Sequence, residues 1–378
     1  MLIYSGAFHD ISGYGTAARD YATGLKDRGA DFRTILVKYD CRGSNEKYIP
    51  EADLSVIRES NISPNELQRT QEFDMLWHSS PNASQLNKRA KRNILMTVWE
   101  TDHVPESFGP HLAPFDYLIT ASQFSKSSFL QTFPDLDVRT VPHVLWDYRN
   151  KPMDVSDELF TSIENVTKDK FVFLWNAEWH IGKGYDQLLT GFCEAFKDND
   201  DVVLLLKTYN LSAVNYRGEV IQYIKNFKKQ NGYTKPKILP LIGDLPYNDV
   251  IGLYAASDAY ISTSRREGFS LTASEAIGFG LPVIASDKGG HCEFLNDKNS
   301  IKVNSTWSEV QELERVRSLY TGQKWIELDM DDFILKLKMA YSNKSKYNGK
   351  PFQDEITKTL RAFDLRHVSE LLIKELGL

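Results

Sequence analysis

The stretch of sequence that decides the fold is SRREGFSLTASEAIGFGLPVIASDKGGHCEF, which runs from Ser264 to Phe294. It follows a short apolar run, Ala259–Ser262, and it contains a second one at Pro282–Ala285. Between the two runs, the residues are typical of a helix that ends at the glycines before Pro282. A strand, a helix and a second strand at this spacing predict a βαβ unit and therefore a parallel sheet.

The same alternation of apolar runs and helical segments extends over most of the chain. Further strand candidates are Leu2–Tyr4, Thr34–Val37, Asp74–Trp77, Ile94–Val98, Tyr117–Thr120, Phe171–Leu174, Val202–Leu206 and Ile238–Ile242. Helix candidates between them are Gly15–Arg28, Phe124–Thr132, Tyr185–Phe196 and Val220–Lys229. Apolar runs without alternation, such as VVLLL, are expected in parallel strands that are buried on both faces. The sequence therefore predicts an α/β protein, and its 378 residues suit two doubly wound domains better than one.

One polar stretch interrupts this regularity, at about residues 145–170. We therefore predict an N-terminal Rossmann-like domain at 1–145, a linker at 146–170 and a C-terminal Rossmann-like domain at 171–353. The remaining segment, 354–378, contains the last predicted helix, Asp354–Glu375, which could pack on either domain. Ligands of doubly wound sheets bind outside the carboxyl ends of the strands, so two facing domains predict an interdomain cleft that binds them.

The composition excludes some classes of protein. A formal net charge of −6 argues against a nucleic-acid-binding protein, which usually carries a basic excess. Three widely spaced cysteines fit a reducing compartment, and neither a signal peptide nor a membrane-spanning run is visible, so we expect a cytoplasmic protein. The basic runs Lys88–Arg92 and Lys225–Lys229 are interpreted as solvated faces, with weak peripheral contact to an anionic membrane as the alternative. The oligomeric state stays open.

A glycine-rich turn, Ser12–Ala18, follows the first predicted strand and opens a helix. Gly13, Tyr14 and Gly15 start a G-x-G-x-x-A pattern, and Asp40 ends the next strand, as in a dinucleotide-binding fingerprint. In that fingerprint, however, the first glycine sits at the strand end, whereas here an extra loop intervenes. We predict that the turn contacts a phosphate at the helix N-terminus, with NAD-type binding and a plain loop as alternatives.

A second strand-to-helix loop reads WNAEWHIGKG, from Trp175 to Gly184. Lys183 lies just ahead of the predicted helix Tyr185–Phe196, at the mouth of this loop. A lysine in that position can meet a diphosphate as a point charge, although the loop lacks the G-x-x-x-x-G-K-[ST] pattern of a P-loop. Taken alone, such a lysine is more often a solvated surface charge.

Two glutamates of the first quoted stretch are candidates for binding a sugar nucleotide. Glu267 lies on the loop at a carboxyl strand end, and Glu275 is predicted in the first turn of the following helix. Carboxylates accept hydrogen bonds from vicinal hydroxyls, while free amides at a helix N-terminus hold phosphate. Glu275 can instead complete a capping box with Thr272. Glu267 can instead form a surface ion pair with Arg265 or Arg266.

Taken together, these stretches resemble family 4 of the retaining glycosyltransferases, which have the GT-B fold of two facing Rossmann-like domains. The first quoted stretch is similar to that family's E-x7-E region and to the G-x-P-V-I-A…G-G-x-x-E segment after it. NAEWHIGKGYDQLLTGFCEAF resembles its K-G-x-D-x-L-L element, and ITASQFSKSSF and VPHVL resemble the segments that close its N-terminal domain. The resemblance covers essentially the whole chain, and the order of the motifs is more specific than any single motif.

The resemblance implies a role for each candidate residue. Glu267 would contact the hydroxyls of the donor sugar, Glu275 would contact the ribose, and Lys183 would neutralise charge on the leaving diphosphate. Gly13 and Gly15 would meet the same phosphates from the other domain. The implied donor-binding residues are Gly13, Tyr14, Gly15, Asn176, Gly243, Leu245, Gly268, Phe269, Ser270, Leu271 and Glu275. The resemblance also implies that the last helix crosses back to the N-terminal domain.

Two features depart from the family pattern. Asn176 stands where the family commonly has an arginine beside the diphosphate, so we expect Arg265 or Arg266 to compensate, or the donor to sit differently. Family members also often place a histidine just after a strand of the first domain.

In this chain the corresponding stretch is Val98–His103. We therefore expect Glu100 or His103 to face the cleft as a catalytic residue beside Lys183 and Glu267. His78, at a neighbouring strand end, is a second candidate. Each of these histidines is more often a structural residue.

The expected function is transfer of a hexosyl unit from a nucleoside diphosphate sugar to an acceptor hydroxyl, with retention, by a same-face displacement. The acceptor could be a glycan, a lipid-linked sugar or a small molecule. We expect neither a metal nor another cofactor, because the D-x-D triplets lie in polar turns and no His or Cys spacing fits zinc. Two alternatives stay open: a non-catalytic protein that binds a nucleotide sugar or glycan, and a phosphorylase or sugar-phosphate synthase.

Overall fold

The computed structural model describes residues 1–37, 46–81, 86–151, 155–209, 216–311 and 317–378, so the predicted Asp40 and Cys41 lie outside the described residues. The strands are β1 (Leu2–Gly6), β2 (Phe32–Leu36), β3 (Asp74–His78), β4 (Asn93–Met96), β5 (Tyr117–Thr120), β6 (Val138–Thr140), β7 (Phe171–Glu178), β8 (Val202–Tyr209), β9 (Lys237–Ile242), β10 (Ala259–Ile261), β11 (Val283–Ser286), β12 (Ile301–Val303), β13 (Ser305–Glu309) and β14 (Lys324–Leu328).

The helices lie between these strands and at the end of the chain. They are α1 (Gly13–Asp27), α2 (Glu51–Ser60), α3 (Pro64–Arg69), α4 (Gly109–Leu112), α5 (Gln123–Thr132), α6 (Asp157–Thr167), α7 (Tyr185–Ala195), α8 (Tyr216–Gln230), α9 (Tyr247–Ala255), α10 (Leu271–Gly278), α11 (Arg317–Tyr320), α12 (Met330–Ser342), α13 (Lys344–Tyr347), α14 (Lys350–Ala362) and α15 (Leu365–Leu376). Short 3-10 helices occur at Glu46–Tyr48, Glu106–Phe108, Ile181–Lys183 and Gly290–Glu293.

The N-terminal half forms a parallel six-stranded sheet in the order β2-β1-β3-β4-β5-β6. Its inner strands are apolar, and Leu76, Ile94 and Leu118 have no exposed surface. Burying an apolar side chain of this size contributes about 1.5–3 kcal/mol, so these strands are stable where both faces of the sheet are covered. The strand order reverses between β1 and β3, the kind of position at which doubly wound sheets bind ligands.

The C-terminal half forms a second parallel sheet in the order β12-β11-β10-β7-β8-β9. Its order reverses between β7 and β10, and these two strands are direct neighbours. The predicted α/β class with two doubly wound sheets is therefore confirmed. Lys183 follows β7 and Glu267 follows β10, so the topology brings both residues to the same edge of this sheet.

A two-stranded antiparallel hairpin, β13 and β14, was not predicted from the sequence. It leaves the C-terminal sheet after β12 and leads back into α12, with Ser305 opposite Leu328. The exposed ring of Trp307 lies parallel to the ring of Phe124 on α5, with centroids 6.2 Å apart. The hairpin therefore extends from the C-terminal half to the N-terminal half.

The prediction of one last helix, Asp354–Glu375, is wrong in detail, because the structure has two helices there. Asp364 separates them, since its side chain accepts a hydrogen bond from the amide of His367 and so caps α15. The preceding helix, α14, packs in the C-terminal core through Ile356 and Leu360. The division of the chain into domains stays a prediction.

Helix α15 packs in the N-terminal core through Val368, Leu372 and Leu376. Arg92 Nη2 fixes its end by donating to the carbonyl of Leu376 at 2.7 Å and to Asp74 at 2.6 Å. The basic run Lys88–Arg92, interpreted from the sequence as a solvated face, is thus partly structural. The segment 146–170, predicted as a linker, contains α6.

Two further expectations are corrected by helix caps. Helix α1 begins at Gly13 rather than Gly15, with Ser12 as its N-cap. Of the acidic triplets, Asp329 caps α12 by accepting from the amide of Asp332 at 3.0 Å, which gives this aspartate a structural role. In the described part of the chain, no helix combines the length and the apolar character needed to cross a membrane.

Candidate functional site

A cavity of about 380 Å³ lies between the two halves, at the carboxyl ends of both sheets. One wall consists of the glycine turn before α1, charged residues of α1 and α2, and the segment after β6. The other wall consists of the ends of β7 and β8 and the beginnings of α9 and α10. A cavity of this size between two sheets, with charged groups on both walls, is the expected place for a ligand.

Lys183 and Glu267 meet at the carboxyl edge of the C-terminal sheet, although neither is among the residues that line the cavity. Lys183 Nζ lies 3.0 Å from Glu267 Oε1 and donates to the carbonyl of Arg266 at 3.3 Å. Gly184 makes the approach possible, because it has a φ of +68° and a Cβ there would lie 2.0 Å from the carbonyl oxygen of Thr263. The alternative of a solvated surface lysine is therefore wrong, since the Lys183 side chain is only 24% exposed.

The electrostatic surroundings of Lys183 keep it charged. Burial lowers the pKa of the ammonium, but Glu267 and then Glu100 raise it, and the net result is a pKa well above the ordinary value. Glu267 belongs to the C-terminal half, whereas Glu100 follows β4 in the N-terminal half. The two halves thus place carboxylates around one cation.

Glu275 does not cap α10, so the capping-box interpretation is wrong. The N-cap residue is Ser270, with a φ of +76°, and Glu275 lies in the second turn rather than the first. Its Oε2 accepts a hydrogen bond from the hydroxyl of Tyr254 at 2.7 Å. Burial raises the pKa of Glu275 to about 7, while Tyr254 and Lys207 oppose that increase. The carboxyl group therefore lines the cavity and is free of any local structural task.

The segment from Gly268 to Leu271 lies between the two halves. A Cβ on Gly268 would lie 2.8 Å from Val98 Cβ, and the carbonyl of Gly268 accepts a hydrogen bond from Ser122 Oγ at 2.6 Å. Leu271 lines the cavity. The neighbouring Phe269 packs edge-on against the ring of His143 at 4.8 Å, and the buried hydroxyl of Ser270 has no hydrogen-bond partner within the described ranges. The close packing leaves room only for glycine at position 268.

The glycine turn lies opposite this segment. Gly13 lines the cavity, and a Cβ there would lie 3.5 Å from Leu271 Cδ1 of the other half. Gly15 is required by the turn itself, since its Cβ would lie 2.0 Å from the carbonyl oxygen of Asp10. Tyr14 packs its ring 5.5 Å from the ring of His78. The turn therefore brings the N-terminus of α1 up to the beginning of α10.

Asn176 lies in the cavity wall but acts within a chain of hydrogen bonds. Its Nδ2 donates to the hydroxyl of Tyr254 at 3.0 Å, and that hydroxyl donates to Glu275. Leu245 also lines the cavity, at the end near α9. Gly243, with a φ of +125°, turns the chain after β9 but does not itself line the cavity.

Of the candidates in Val98–His103, Glu100, and not His103, is among the charges that raise the pKa of Lys183. His103 Nδ1 lies 2.9 Å from Asp102 Oδ1, and its carbonyl accepts a hydrogen bond from the indole of Trp99 at 2.7 Å. His78 is buried, with its Nδ1 2.8 Å from the hydroxyl of Tyr4, and burial lowers its pKa to about 3. These histidines are therefore structural in this arrangement.

The two arginines before Glu267 have separate roles, and neither forms the ion pair suggested for that glutamate. Arg265 has a structural role. It donates two hydrogen bonds, of 2.6 and 2.8 Å, to Asp186 and one of 2.7 Å to Glu327. Arg266 is buried beside the loop that carries Lys183, with Nη2 3.2 Å from His180 Nδ1. Of the two, only Arg266 is placed to add positive charge beside Lys183.

Sequence reasoning missed a buried charged cluster on the N-terminal wall. Arg19 on α1 donates to the carbonyl oxygens of Phe8 at 2.9 Å and Asp10 at 2.7 Å, which ties down the loop before the glycine turn. Asp20 accepts a hydrogen bond from the indole of Trp146 at 3.1 Å. Burial and the nearby Asp53 raise the pKa of Asp20 to about 7. The sequence feature that could have revealed this cluster is the pair Arg19 and Asp20, which lies in α1 among small and apolar residues.

No group of three or more His, Cys, Asp or Glu side chains is arranged to hold a metal ion in the part of the chain that the structure describes. The carboxylates around the cavity are instead distributed over both walls, as Asp10, Asp20, Asp53, Asp244 and Glu275.

Comparison with known proteins identifies a matching family and similar folds. The model of the family described as glycosyl transferases group 1 matches residues 157–323. The lipopolysaccharide 1,2-N-acetylglucosaminetransferase of Salmonella typhimurium is 27% identical over 201 residues, which are 52% of this chain and 50% of that protein. The chain spans about half the length of the curated relatives it matches.

Two solved structures are similar over the whole chain. Anabaena Alr3699/HepE in complex with UDP and glucose has a TM-score of 0.67 at 12% identity, with 100% of this chain and 99% of that chain covered. An alpha,alpha-trehalose-phosphate synthase (UDP-forming) from Burkholderia xenovorans, in complex with glucose-6-phosphate, has a TM-score of 0.67 at 11% identity, with both chains fully covered at 100%. The resemblance found in the sequence is thus supported: residues 157–323 match the model of the glycosyl transferases group 1 family, and the chain has the GT-B fold.

Proposed function

We propose that this protein is a retaining glycosyltransferase that moves a hexosyl unit from a nucleoside diphosphate sugar to a hydroxyl of an acceptor. The observation that carries the proposal is the pair of Lys183 and Glu267, 3.0 Å apart, at the strand-order reversal of the sheet in the matched segment. Glu275 lines the adjoining cavity. A cation and two carboxylates at one sheet edge suit a ligand that carries both phosphate and hydroxyl groups.

In this proposal, the largest catalytic contribution comes from Lys183. Negative charge develops on the leaving diphosphate in the transition state, and a fixed ammonium in a partly buried site stabilises it without reorganisation. Glu267 holds Lys183 in place and accepts hydrogen bonds from the donor sugar. Glu275 accepts hydrogen bonds from the ribose, with its unprotonated form favoured above pH 7, given its pKa of about 7.

The glycine turn completes the diphosphate site from the other half. Gly13 lies in the cavity wall at the N-terminus of α1, where free backbone amides and the helix dipole favour an anion. Arg266 supplies the second positive charge that the neutral Asn176 does not. Arg265 is excluded from this role by its three short hydrogen bonds to Asp186 and Glu327.

Retention follows from a same-face displacement, in which the departing phosphate helps to deprotonate the acceptor hydroxyl. Such a step needs positioned charge rather than an enzyme nucleophile. The acceptor approaches from the N-terminal half, where Glu100 faces the reacting groups. Neither a metal nor another cofactor takes part, and turnover in excess EDTA tests that part of the proposal.

A protein that binds a nucleotide sugar without turnover is the competing function, and the hydrogen-bonded Asn176 favours it because the usual cationic partner of Lys183 is missing there. A phosphorylase or a sugar-phosphate synthase would differ only in the acceptor. Assays with orthophosphate and with sugar phosphates as acceptors separate these reactions from transfer to a hydroxyl.

Thermal unfolding against UDP, GDP, ADP, CMP, dTDP and NAD tests the proposal. A ligand at about 100 times its Kd should stabilise the fold by about 2.7 kcal/mol, a shift of several degrees for domains of this size. The nucleotide sugar of the best ligand is then assayed for release of the nucleoside diphosphate, and the anomeric configuration of the product is read by NMR. Stabilisation by NAD alone contradicts the proposal, and binding without turnover supports the competing function.

A further inference from the structure

The hairpin of β13 and β14 connects the two loops that surround Lys183. The amide of Ile326 in β14 donates to the carbonyl of Arg265 at 3.0 Å, two residues before Glu267. Gln323, which directly precedes this strand, and Lys324, its first residue, contact the loop that carries Glu100. Strand β14 and the residue before it therefore contact both the loop that carries Glu267 and the loop that carries Glu100.

Gln323 is buried, with 1% of its surface exposed, and both the oxygen and the nitrogen of its side-chain amide form hydrogen bonds. Its Oε1 accepts hydrogen bonds from the indole Nε1 of Trp99 at 3.0 Å and from the hydroxyl of Thr101. Its Nε2 donates to the carbonyl of Leu319 at 2.7 Å. Because an indole N–H can only donate, the amide oxygen must face Trp99, so the orientation of the amide is fixed.

The two residues that bind Gln323 lie on either side of Glu100. Asp102, the next residue but one, is also held by β14: its amide donates to the carbonyl of Lys324 at 3.1 Å, and its Oδ1 accepts from the amide of Lys324 at 2.7 Å. The loop is thus bound at three positions around Glu100 by two consecutive residues of the other half. The backbone of Glu100, which lies between Trp99 and Thr101, therefore has little freedom to move.

We propose that Gln323 is a positioning residue, which holds the carboxylate of Glu100 opposite Lys183 through the residues on either side of it. The inference rests on the proposed function, since it takes Glu100 to act on the reacting groups beside Lys183. Displacement of a catalytic group by about 1 Å can cost about 100-fold in rate, so a loop with a single reactive carboxylate needs such fixation. The hairpin supplies it from the half of the molecule that carries Lys183.

The test uses Gln323→Leu, which keeps the approximate volume but removes the acceptor for Trp99 and Thr101. The assay is release of the nucleoside diphosphate from the nucleotide sugar that the wild-type protein uses. We expect kcat to fall by about 10- to 100-fold, with the affinity for the nucleoside diphosphate unchanged. Trp307→Ala is the matched control, because it removes the contact of the same hairpin with Phe124 but none of the hydrogen bonds that hold the loop of Glu100. It should change kcat by less than about threefold.

A double-mutant cycle with Glu100→Gln separates positioning from a general loss of structure. If Gln323 acts through Glu100, Gln323→Leu should cost less than about threefold in kcat once Glu100 has been replaced. Effects that multiply in the double variant overturn the inference. So does a loss of nucleotide affinity in Gln323→Leu as large as the loss in kcat.

A measurement without turnover keeps the inference separate from the proposed function. Hydrogen exchange of the backbone amides from Trp99 to His103 should be faster in Gln323→Leu than in the wild type and in Trp307→Ala. Unchanged exchange in this loop overturns the inference, whether or not the protein turns over a nucleotide sugar. Faster exchange in a protein that never turns over a nucleotide sugar rejects the proposed function but leaves the contact established.

Discussion

The two walls of the cavity are built in different ways. On the C-terminal side, Lys183 follows β7, Glu267 follows β10 and Glu275 lies on α10, so all three lie around the strand-order reversal of one sheet. On the N-terminal wall, the charged groups are scattered: Asp20 lies on α1 and Glu100 follows β4. In the proposed function, one local pattern of strand, loop and helix carries the donor side of the site, whereas the acceptor side depends on residues from separate elements.

The largest expected effect of a single substitution is on the C-terminal wall. Lys183→Ala should lower kcat by about 1000-fold, because a preorganised charge at the leaving group is worth about 3–4 kcal/mol. The affinity for the nucleoside diphosphate should fall less. Steady-state release of the nucleoside diphosphate and thermal shift with the same nucleotide measure the two quantities.

Lys197→Ala is the control for that substitution, since Lys197 is 52% exposed and paired only with Glu194 on the surface. It should leave kcat unchanged and alter the free energy of unfolding by less than about 0.5 kcal/mol. A Lys183→Ala protein with near wild-type kcat would contradict the proposed role of Lys183 at the leaving diphosphate.

Gly15→Ala tests the glycine turn of the N-terminal wall. The new Cβ would lie 2.0 Å from the carbonyl oxygen of Asp10, so the turn must shift, at a cost of about 1–3 kcal/mol. We expect a lower melting temperature and a weaker nucleotide affinity, by about tenfold. Gly218→Ala, on α8 with nothing within 4 Å of the new Cβ, should instead stabilise the protein by about 0.4–1 kcal/mol. Equal stability of the two variants would contradict the role of the turn.

The pH dependence of stability compares one buried carboxyl on each wall. The pKa of both Asp20 and Glu275 is raised to about 7 in the folded protein, chiefly by burial. Each group therefore stabilises the fold at low pH, and that contribution is lost as the pH rises towards 7 and above. Since one pKa unit corresponds to about 1.4 kcal/mol, the loss per group between pH 5 and pH 8 is at most about 3 kcal/mol.

Asp20→Asn and Glu275→Gln should each flatten the decline in melting temperature between pH 5 and pH 8, by an amount of up to about 3 kcal/mol in stability. Glu275→Gln should also weaken nucleotide binding, whereas Asp20→Asn should not. A wild-type protein whose stability rises over this pH range would show that neither carboxyl is buried as described.

The smallest effect is expected at His103. Because this side chain packs against Asp102 rather than beside Lys183, His103→Ala should change kcat by less than about threefold. Glu100→Gln, three residues earlier, should lower kcat much more. The opposite order of the two effects would restore the histidine as the catalytic residue of the N-terminal wall.

The sequence predicted the C-terminal wall well, because each of its parts is a short strand followed directly by a loop and a helix. The strand ends that carry Lys183 and Glu267 are neighbours for a topological reason, which the alternation of strands and helices already indicates. Glu275 was ambiguous because T-x-x-E is also the pattern of a capping box. The start of α10 after Ser270 and the hydrogen bond from Tyr254, which lies 21 residues earlier, distinguish the two.

The features that the sequence did not predict depend on contacts between residues that are far apart in the chain. Gln323 binds Trp99 across 224 positions, and Trp146 binds Asp20 across 126. Periodicity also gave no sign that Asp364 would end one helix and cap the next, because the apolar spacing continues through it. Such features follow from tertiary packing, so local patterns do not predict them.

The most direct test of the central claim is a crystal structure of the protein with the nucleoside diphosphate that stabilises it most. We expect the terminal phosphate within hydrogen-bond distance of Lys183 Nζ, and the ribose hydroxyls within hydrogen-bond distance of the carboxylate of Glu275. A nucleotide bound elsewhere, or one that leaves the pair of Lys183 and Glu267 untouched, would contradict it.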